Sequence, residues 1–212
     1  FTLRGGMVQG EFRYLDKDLG SGVLRGGYLP NDQVTNTDRK QLTLQQNVQL
    51  SNVWSARTNY NYISDKFYGI DIGRNLLSTS ILYQERLAEV RRDEGNWHFI
   101  GRTQSFQTVD ENIALASRPY ARLPQLILMR DRDLGTGWQQ SLRSELTDFR
   151  RSTNDGSIAD VEGMRLRVDP AIRYDATTSW GYVRPGLRLT HLQYQLQGAG
   201  RVESAPSVTQ PT

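Results

Sequence analysis

Histidines, acidic pairs, glycine pairs and an abundance of arginine are the features of this chain that could do chemistry. His98 and His191 are the only histidines among 212 residues. Each stands on or near an extended segment, with serines and aspartates elsewhere, so a Ser-His-Asp hydrolase is one reading. The competing reading makes both of them polar residues at strand ends, and it is preferred because no catalytic constellation stands out. No His-x3-His spacing is present for a metal. Asp131-Arg132-Asp133 reads better as a turn than as a cation site. Gly5-Gly6 and Gly26-Gly27 do not lead from a strand into a helix as a phosphate loop would. They suit strand curvature or close approach. The chain is therefore expected to be no enzyme and to hold no metal and no cofactor.

Arginine offers more. The only lysines are Lys17, Lys40 and Lys66. A guanidinium fork pairs bidentately with carboxylate or phosphate, although a compositional bias of the source genome would also enrich arginine. The polar residues fall into alternating rows. Gln9, Glu11 and Arg13 continue in Gln41, Thr43, Gln45, Asn47 and Gln49, then in Arg57, Asn59 and Asn61. Arg143 and Glu145, then Arg165, Arg167 and Asp169, extend the series. Such a wall could solvate a sugar-rich amphiphile and meet its phosphates through charge-assisted hydrogen bonds. It could equally solvate a wet face with local arginine–carboxylate pairing, and for any single residue this second reading is preferred.

The elements that carry these rows are strands, because side chains on a strand alternate faces. Leu42, Leu44, Val48 and Leu50 alternate with the amide row of 41–49. Ala56, Thr58, Tyr60 and Tyr62 alternate with Arg57, Asn59 and Asn61. Met164, Leu166, Val168 and Ile172 oppose Arg165, Arg167, Asp169 and Arg173. About ten strands are predicted, at 4–15, 21–29, 39–50, 56–64, 80–92, 97–107, 123–130, 138–149, 164–174 and 182–196. Many run about 9–11 residues, the length a tilted strand needs to cross a bilayer, where globular strands are commonly about 5–6. Pro170 and Pro185 should loosen pairing locally.

Short turns near 16–20, 51–55, 93–96, 131–137 and 175–181 alternate with long polar stretches near 30–38, 65–79, 108–122 and 150–163. Trp54, Trp97, Trp138 and Trp180 all stand beside short turns, as an aromatic belt at a membrane interface would. The hydrophobic fraction is 37%, mean hydropathy is −0.61, and no apolar run approaches the roughly 18 residues of a membrane-spanning helix. That excludes a helical membrane protein and leaves a barrel open. A net charge of only +3 argues against nucleic acid as the partner. The absence of cysteine rules out disulfides within the chain. The fold class expected is all-β, an antiparallel up-and-down transmembrane β-barrel segment over 1–196. Residues 197–212 are read as an extracellular loop or disordered tail. The chain reads as the middle of a longer polypeptide, since ten strands with open edges in lipid need further neighbours.

Several segments carry a family resemblance. Gly10-Glu11-Phe12-Arg13-Tyr14-Leu15 followed by Gly26-Gly27-Tyr28-Leu29-Pro30-Asn31-Asp32 resembles the LPS-assembly protein family LptD, also called organic solvent tolerance protein. Asn59-Tyr60-Asn61-Tyr62-Ile63-Ser64-Asp65, Arg122-Leu123-Pro124-Gln125-Leu126 and Arg167-Val168-Asp169-Pro170 are similar to further motifs of that family. The stretch from Ser179-Trp180-Gly181 to Leu192-Gln193-Tyr194 also fits. The resemblance implies an outer-membrane barrel of about 26 strands, of which this chain would supply roughly the second to the eleventh. It implies insertion of lipopolysaccharide into the outer leaflet of a Gram-negative outer membrane. The implied partners are lipopolysaccharide, an LptE-type lipoprotein in the lumen, outer-membrane lipids and the rest of the same barrel. A passive porin is the alternative that the same wet lumen would allow.

Overall fold

The computed structural model describes residues 3–18, 20–72, 82–110, 112–151, 161–198 and 205–211. Ten long strands follow the predicted ladder: β1 (Val8–Asp16), β2 (Gly20–Leu29), β3 (Arg39–Gln49), β4 (Trp54–Ile63), β5 (Tyr83–Glu94), β6 (Trp97–Thr108), β7 (Ala121–Gly135), β8 (Trp138–Arg150), β9 (Glu162–Tyr174) and β12 (Gly186–Gln197). A single helical turn, α1 (Tyr68–Asp71), lies between β4 and β5. A small hairpin of β10 (Ala176–Thr178) and β11 (Gly181–Val183) stands between β9 and β12. β13 (Ser207–Pro211) pairs antiparallel with β12. The main sheet has eleven strands in the order β1-β2-β3-β4-β5-β6-β7-β8-β9-β12-β13, an up-and-down antiparallel arrangement.

Three departures from expectation have local causes. Asp131–Asp133 is strand, because Asp131, Arg132 and Asp133 pair with Ser141, Gln140 and Gln139 of β8. The turn shrinks to Thr136 and Gly137, both at positive φ. The expected strand 182–196 is interrupted before Gly186, where Pro185 offers no amide for a ladder. Ser207–Pro211, expected as loop or tail, forms an edge strand whose terminal Pro211 is tolerated there. At Pro170 the anticipated loosening is present. The β9–β12 ladder pairs Arg188 with Ala171 and resumes at His191 with Val168, omitting Pro170 and Asp169.

Two compact units are distinguished: Phe1–Glu89 with Gln104–Tyr120, and Val90–Thr103 with Ala121–Thr212. In the first, Leu24 pairs with Leu44 and Leu44 with Tyr60, while Val23 pairs with Gln45 and Gln45 with Asn59. One face thus collects Phe12, Leu24 and Leu42, which are exposed. The opposite face holds Thr43 and Glu89, which are buried. The second unit repeats this inversion. Leu126, Met164 and Ile172 are exposed, while Gln125, Glu145, Thr147 and Asp169 are buried. Phe12 and Leu42 keep 62% and 40% of their surface open.

Apolar side chains on the open face and carboxylates on the covered one would be unfavourable in water. The same distribution is stable when the open face meets hydrocarbon. Leu44→Arg and Gln45→Arg, one residue apart, should therefore differ. In the natural protein refolded into lipid vesicles, equilibrium unfolding should show Leu44→Arg less stable by about 2–4 kcal/mol. Gln45→Arg, on the polar face, should cost a small fraction of that. Equal losses would show that the two faces meet the same medium.

Candidate functional site

Each polar row predicted from sequence is assembled by strand register. In the first unit Glu11 faces Arg25 across β1–β2, and its carboxylate accepts from both Arg25 and Arg13. Gln45 and Asn47 stand opposite Asn59 and Arg57. Arg57 Nε lies 3.0 Å from Glu89 Oε1. Asn59 Nδ2 donates to Glu85 Oε2 at 2.7 Å, and Gln104 Nε2 to Glu85 Oε1 at 2.6 Å. Asn61 Nδ2 donates to Asn59 Oδ1 and to the Glu85 carbonyl, both at 3.1 Å.

In the second unit the centre is Glu145. Its Oε1 accepts from Arg165 Nη2 at 2.7 Å, Gln125 Nε2 at 2.9 Å and Thr147 Oγ1 at 3.0 Å. Gln125 in turn accepts from Arg102 Nε at 2.7 Å. Arg143 reaches Glu145 only at 3.9 Å and stays half-exposed. Arg167 Nε donates to Asp169 Oδ2 at 2.6 Å. The twelve wall residues predicted from sequence thus form two groups, one in each unit. The reading from sequence missed Glu85, Glu89, Arg25, Arg102 and Gln125, the partners that complete their pairing.

A second cluster lay beyond the sequence reading. Arg39, at the long-loop end of β3, is 1% exposed and meets three carboxylates. Its Nε and Nη2 donate to the two oxygens of Asp65 at 3.0 and 2.6 Å, and Nη1 donates to Asp71 at 2.6 Å and to Asp32 at 3.2 Å. Arg4 adds contacts to Asp32 at 2.7 Å and Asp71 at 3.1 Å. The guanidinium lies 5.7 Å from the Tyr68 ring centroid. Tyr68 packs with Ile63, Val109, Met7 and Ile72. A side chain at Gly27 would meet the Tyr68 hydroxyl at 2.6 Å, so α1 lies directly over the polar face of β2. This knot ties the 30–38 loop, the segment after β4 and the residues before β1 into one cap. Two family-like segments end in its aspartates, Asp32 and Asp65, which is the signal the sequence offered.

Electrostatics follow from this packing. Burial alone would raise the Asp32 carboxyl, but the Val34 amide and the Arg4 and Arg39 guanidiniums hold it down at about 2, against an ordinary 3.8. Asp65 is likewise held below its usual range; burial opposes this, and Arg39 and Ser64 outweigh it. The Asn112 amide, with Lys66 behind it, lowers Asp110.

The remaining candidates separate. His98 contacts Asp93 at 2.6 Å and His191 contacts Thr209 at 2.8 Å, and among the described residues neither bonds to a serine. Among the described residues no group of three or more His, Cys, Asp or Glu could hold a metal. Trp54, Trp97 and Trp138 open β4, β6 and β8 at the short-turn end. Arg130 lies 4.9 Å from the Trp97 ring centroid, and Trp138 packs in a tilted arrangement against Tyr174, with ring centroids 4.9 Å apart. Trp180 departs from this row. It sits at the tip of the β10–β11 hairpin, beyond the Trp138–Tyr174 pair, and is 84% exposed.

A family model described as LptD, LPS transport system D, matches residues 37–212. The LPS-assembly protein LptD of Alcanivorax borkumensis is 36% identical over 207 residues, covering 97% of this chain and 27% of that protein. That of Acinetobacter baumannii is 34% identical, with 90% and 24% covered. That of Ralstonia nicotianae is 33% identical, with 91% and 23% covered. The chain spans about a quarter of the length of these curated relatives.

The knot has a pH signature. Asp32 titrates lower in the folded state than in the unfolded one, so its contribution is complete above 3.8 and is lost as pH falls toward about 2. A spin label at Val34→Cys should keep constant mobility from neutral pH to about 4 and become mobile between there and about 2. Arg39→Ala should make the label mobile already at pH 7. Arg39→Lys should restore little, because one ammonium cannot fork to three carboxylates. An immobile label in Arg39→Ala would mean that the loop is held by something else.

Proposed function

This chain belongs to the LptD family, and from that premise we propose that it builds part of an outer-membrane β-barrel that delivers lipopolysaccharide to the outer leaflet. The observation that carries this reading is the inversion of the sheet, with a paired polar face backed by an exposed apolar one. The apolar face meets lipid and the polar face lines a wet lumen. Trp54, Trp97 and Trp138 lie at the periplasmic interface, and the long loops are extracellular. β1 and β13 end the strand order, and in lipid each needs a hydrogen-bonding neighbour from the rest of the same barrel. An LptE-type lipoprotein in the lumen is the further partner.

The wall's chemistry suits an amphiphile with sugars and phosphates. Amides of Gln45, Asn47, Asn59 and Asn61 exchange hydrogen bonds with hydroxyls at little cost, since they can pair with one another or with water in between. The arginines are already engaged. Arg57, Arg165 and Arg167 each sit on a buried carboxylate. Arg143, loosely placed and half-exposed, has the most donor capacity to give to a passing phosphate. The four cations, Arg57 in the first unit and Arg143, Arg165 and Arg167 in the second, act collectively.

Removing the arginines alone would strand Glu89, Glu145 and Asp169 as buried charges. The test therefore replaces Arg57, Arg143, Arg165 and Arg167 by Gln together with Glu89→Gln, Glu145→Gln and Asp169→Asn. The wall stays polar and folded. Lipopolysaccharide crosslinking to the barrel, at matched folded-protein levels, should fall several-fold, and the outer membrane should admit large antibiotics. Unchanged crosslinking and permeability would reduce the arginines to structural pairing. Single cysteines at Asn36 and Asn96 test orientation. An impermeant reagent on intact cells should label Asn36→Cys and spare Asn96→Cys; the reverse would invert the topology.

A further inference from the structure

We infer that Arg86, with Tyr60 and Tyr62, forms an outward-facing site for the phosphate headgroup of a lipid in the leaflet nearer the long loops. The inference rests on the membrane reading above. Tyr60 and Tyr62 pair with Leu44 and Leu42, which puts both rings on the apolar face. The Arg86 guanidinium lies 5.3 and 5.9 Å from their centroids, and so shares that face. Arg57, Arg143, Arg165 and Arg167 of the polar wall each have a carboxylate. Arg86 has none among the described residues. Its protein acceptors are neutral, the Gln107 side-chain oxygen at 3.2 Å and the Asn61 carbonyl at 3.5 Å.

Three features define the ligand. First, Nη1 has no protein acceptor among the described residues, so the guanidinium keeps donors for a bidentate oxyanion. The Tyr60 and Tyr62 hydroxyls are also without a hydrogen bond there, and each is a donor. Second, the depth is right. Arg86 is the fourth residue of β5, about 10 Å along the strand from its loop end at roughly 3.4 Å per residue. An outward arginine is costly at the bilayer midplane and nearly free close to the interface. Third, Leu42 and Leu44 flank the site. A free phosphate ion has nothing with which to cover them, whereas the acyl chains of a lipid do. Lys40, nearby on the same face over the Tyr28 ring, is already offset by Asp38 at 3.7 Å, which leaves Arg86 as the cation to be neutralised at this spot.

The test uses the protein as the cell makes it, placed in nanodiscs of phosphatidylcholine containing a minority of phosphatidylglycerol. A photocrosslinking amino acid replaces Leu42, and mass spectrometry measures the ratio of the two lipid adducts. Phosphatidylglycerol should be enriched about ten-fold over its bulk share, the scale of one charge-assisted contact. Arg86→Gln should return the ratio to the bulk value, Arg86→Lys should retain part of the enrichment, and Arg130→Gln, beside Trp97 in the second unit, should leave it intact. Persistent phosphatidylcholine adducts in Arg86→Gln establish that the variant is folded in the bilayer. Enrichment that survives Arg86→Gln, or that inorganic phosphate abolishes, overturns the lipid site. Absence of any lipid adduct in the unsubstituted background would instead sink the membrane reading itself.

Discussion

A carboxylate buried in the face of a sheet must find a cation on a neighbouring strand, and most of this structure follows from meeting that demand while the opposite face stays apolar. Glu89, Glu145 and Asp169 are buried, and each holds a guanidinium from the same or an adjacent strand. Pairing of this kind depends on register. A slip of one residue would turn Arg57 and Arg165 toward the apolar face and bring a flanking residue, Ala56 or Thr58 in β4 and Met164 or Leu166 in β9, to the carboxylate side. The ion pairs therefore select one alignment of the strands, whatever they contribute to net stability. The amides of Gln45, Asn59 and Asn61 then fill the space between charges, with no further ions to desolvate.

The same logic governs the long-loop end in tighter form. Arg39 opens β3 and is surrounded by Asp32, Asp65 and Asp71. Three carboxylates around one guanidinium would be a net anionic cluster, and Arg4 supplies the second cation. Tyr68 then seals the apolar side. Gly27 permits this approach, whereas the adjacent Gly26 faces open space on the other side. Two neighbouring glycines thus serve different surroundings, and the pair is explained by alternation of faces. A cap built this way holds its loops over the polar face without a disulfide, in a chain that has no cysteine.

Legibility in the sequence follows the range of the interactions. Rows such as Leu42–Leu44 and Asn59–Asn61 were readable because a period of two is a local property. The tryptophans at the starts of β4, β6 and β8 were readable because turns are local as well. The Arg39 knot was not, since its partners lie 7, 26 and 32 residues away and only the β2–β3–β4 register joins them. Glu85 and Glu89 were missed because the apolar residues of β5 change parity. Asp131–Asp133 looked like a turn because its residue types favour turns, yet pairing with β8 outweighed that preference. Ser207–Pro211 looked like tail for the same compositional reason, and an edge position made it a strand.

The preference for arginine also becomes physical once positions are known. Lys17 stands in the tight turn after β1, Lys40 at the loop end of β3 and Lys66 in the segment before α1, all where an ammonium keeps its water. Along the strands, cations must pair with buried carboxylates or lie across aromatic rings, and both tasks suit a flat, weakly hydrated fork. Arg165 does both at once, bonding Glu145 while its guanidinium lies 5.0 Å from the Phe149 ring. An ammonium in its place would satisfy one acceptor and remain to be hydrated on the other side. Compositional bias toward arginine would raise its number everywhere. It does not explain why the strand interiors use arginine in positions where planarity and several donors are engaged together.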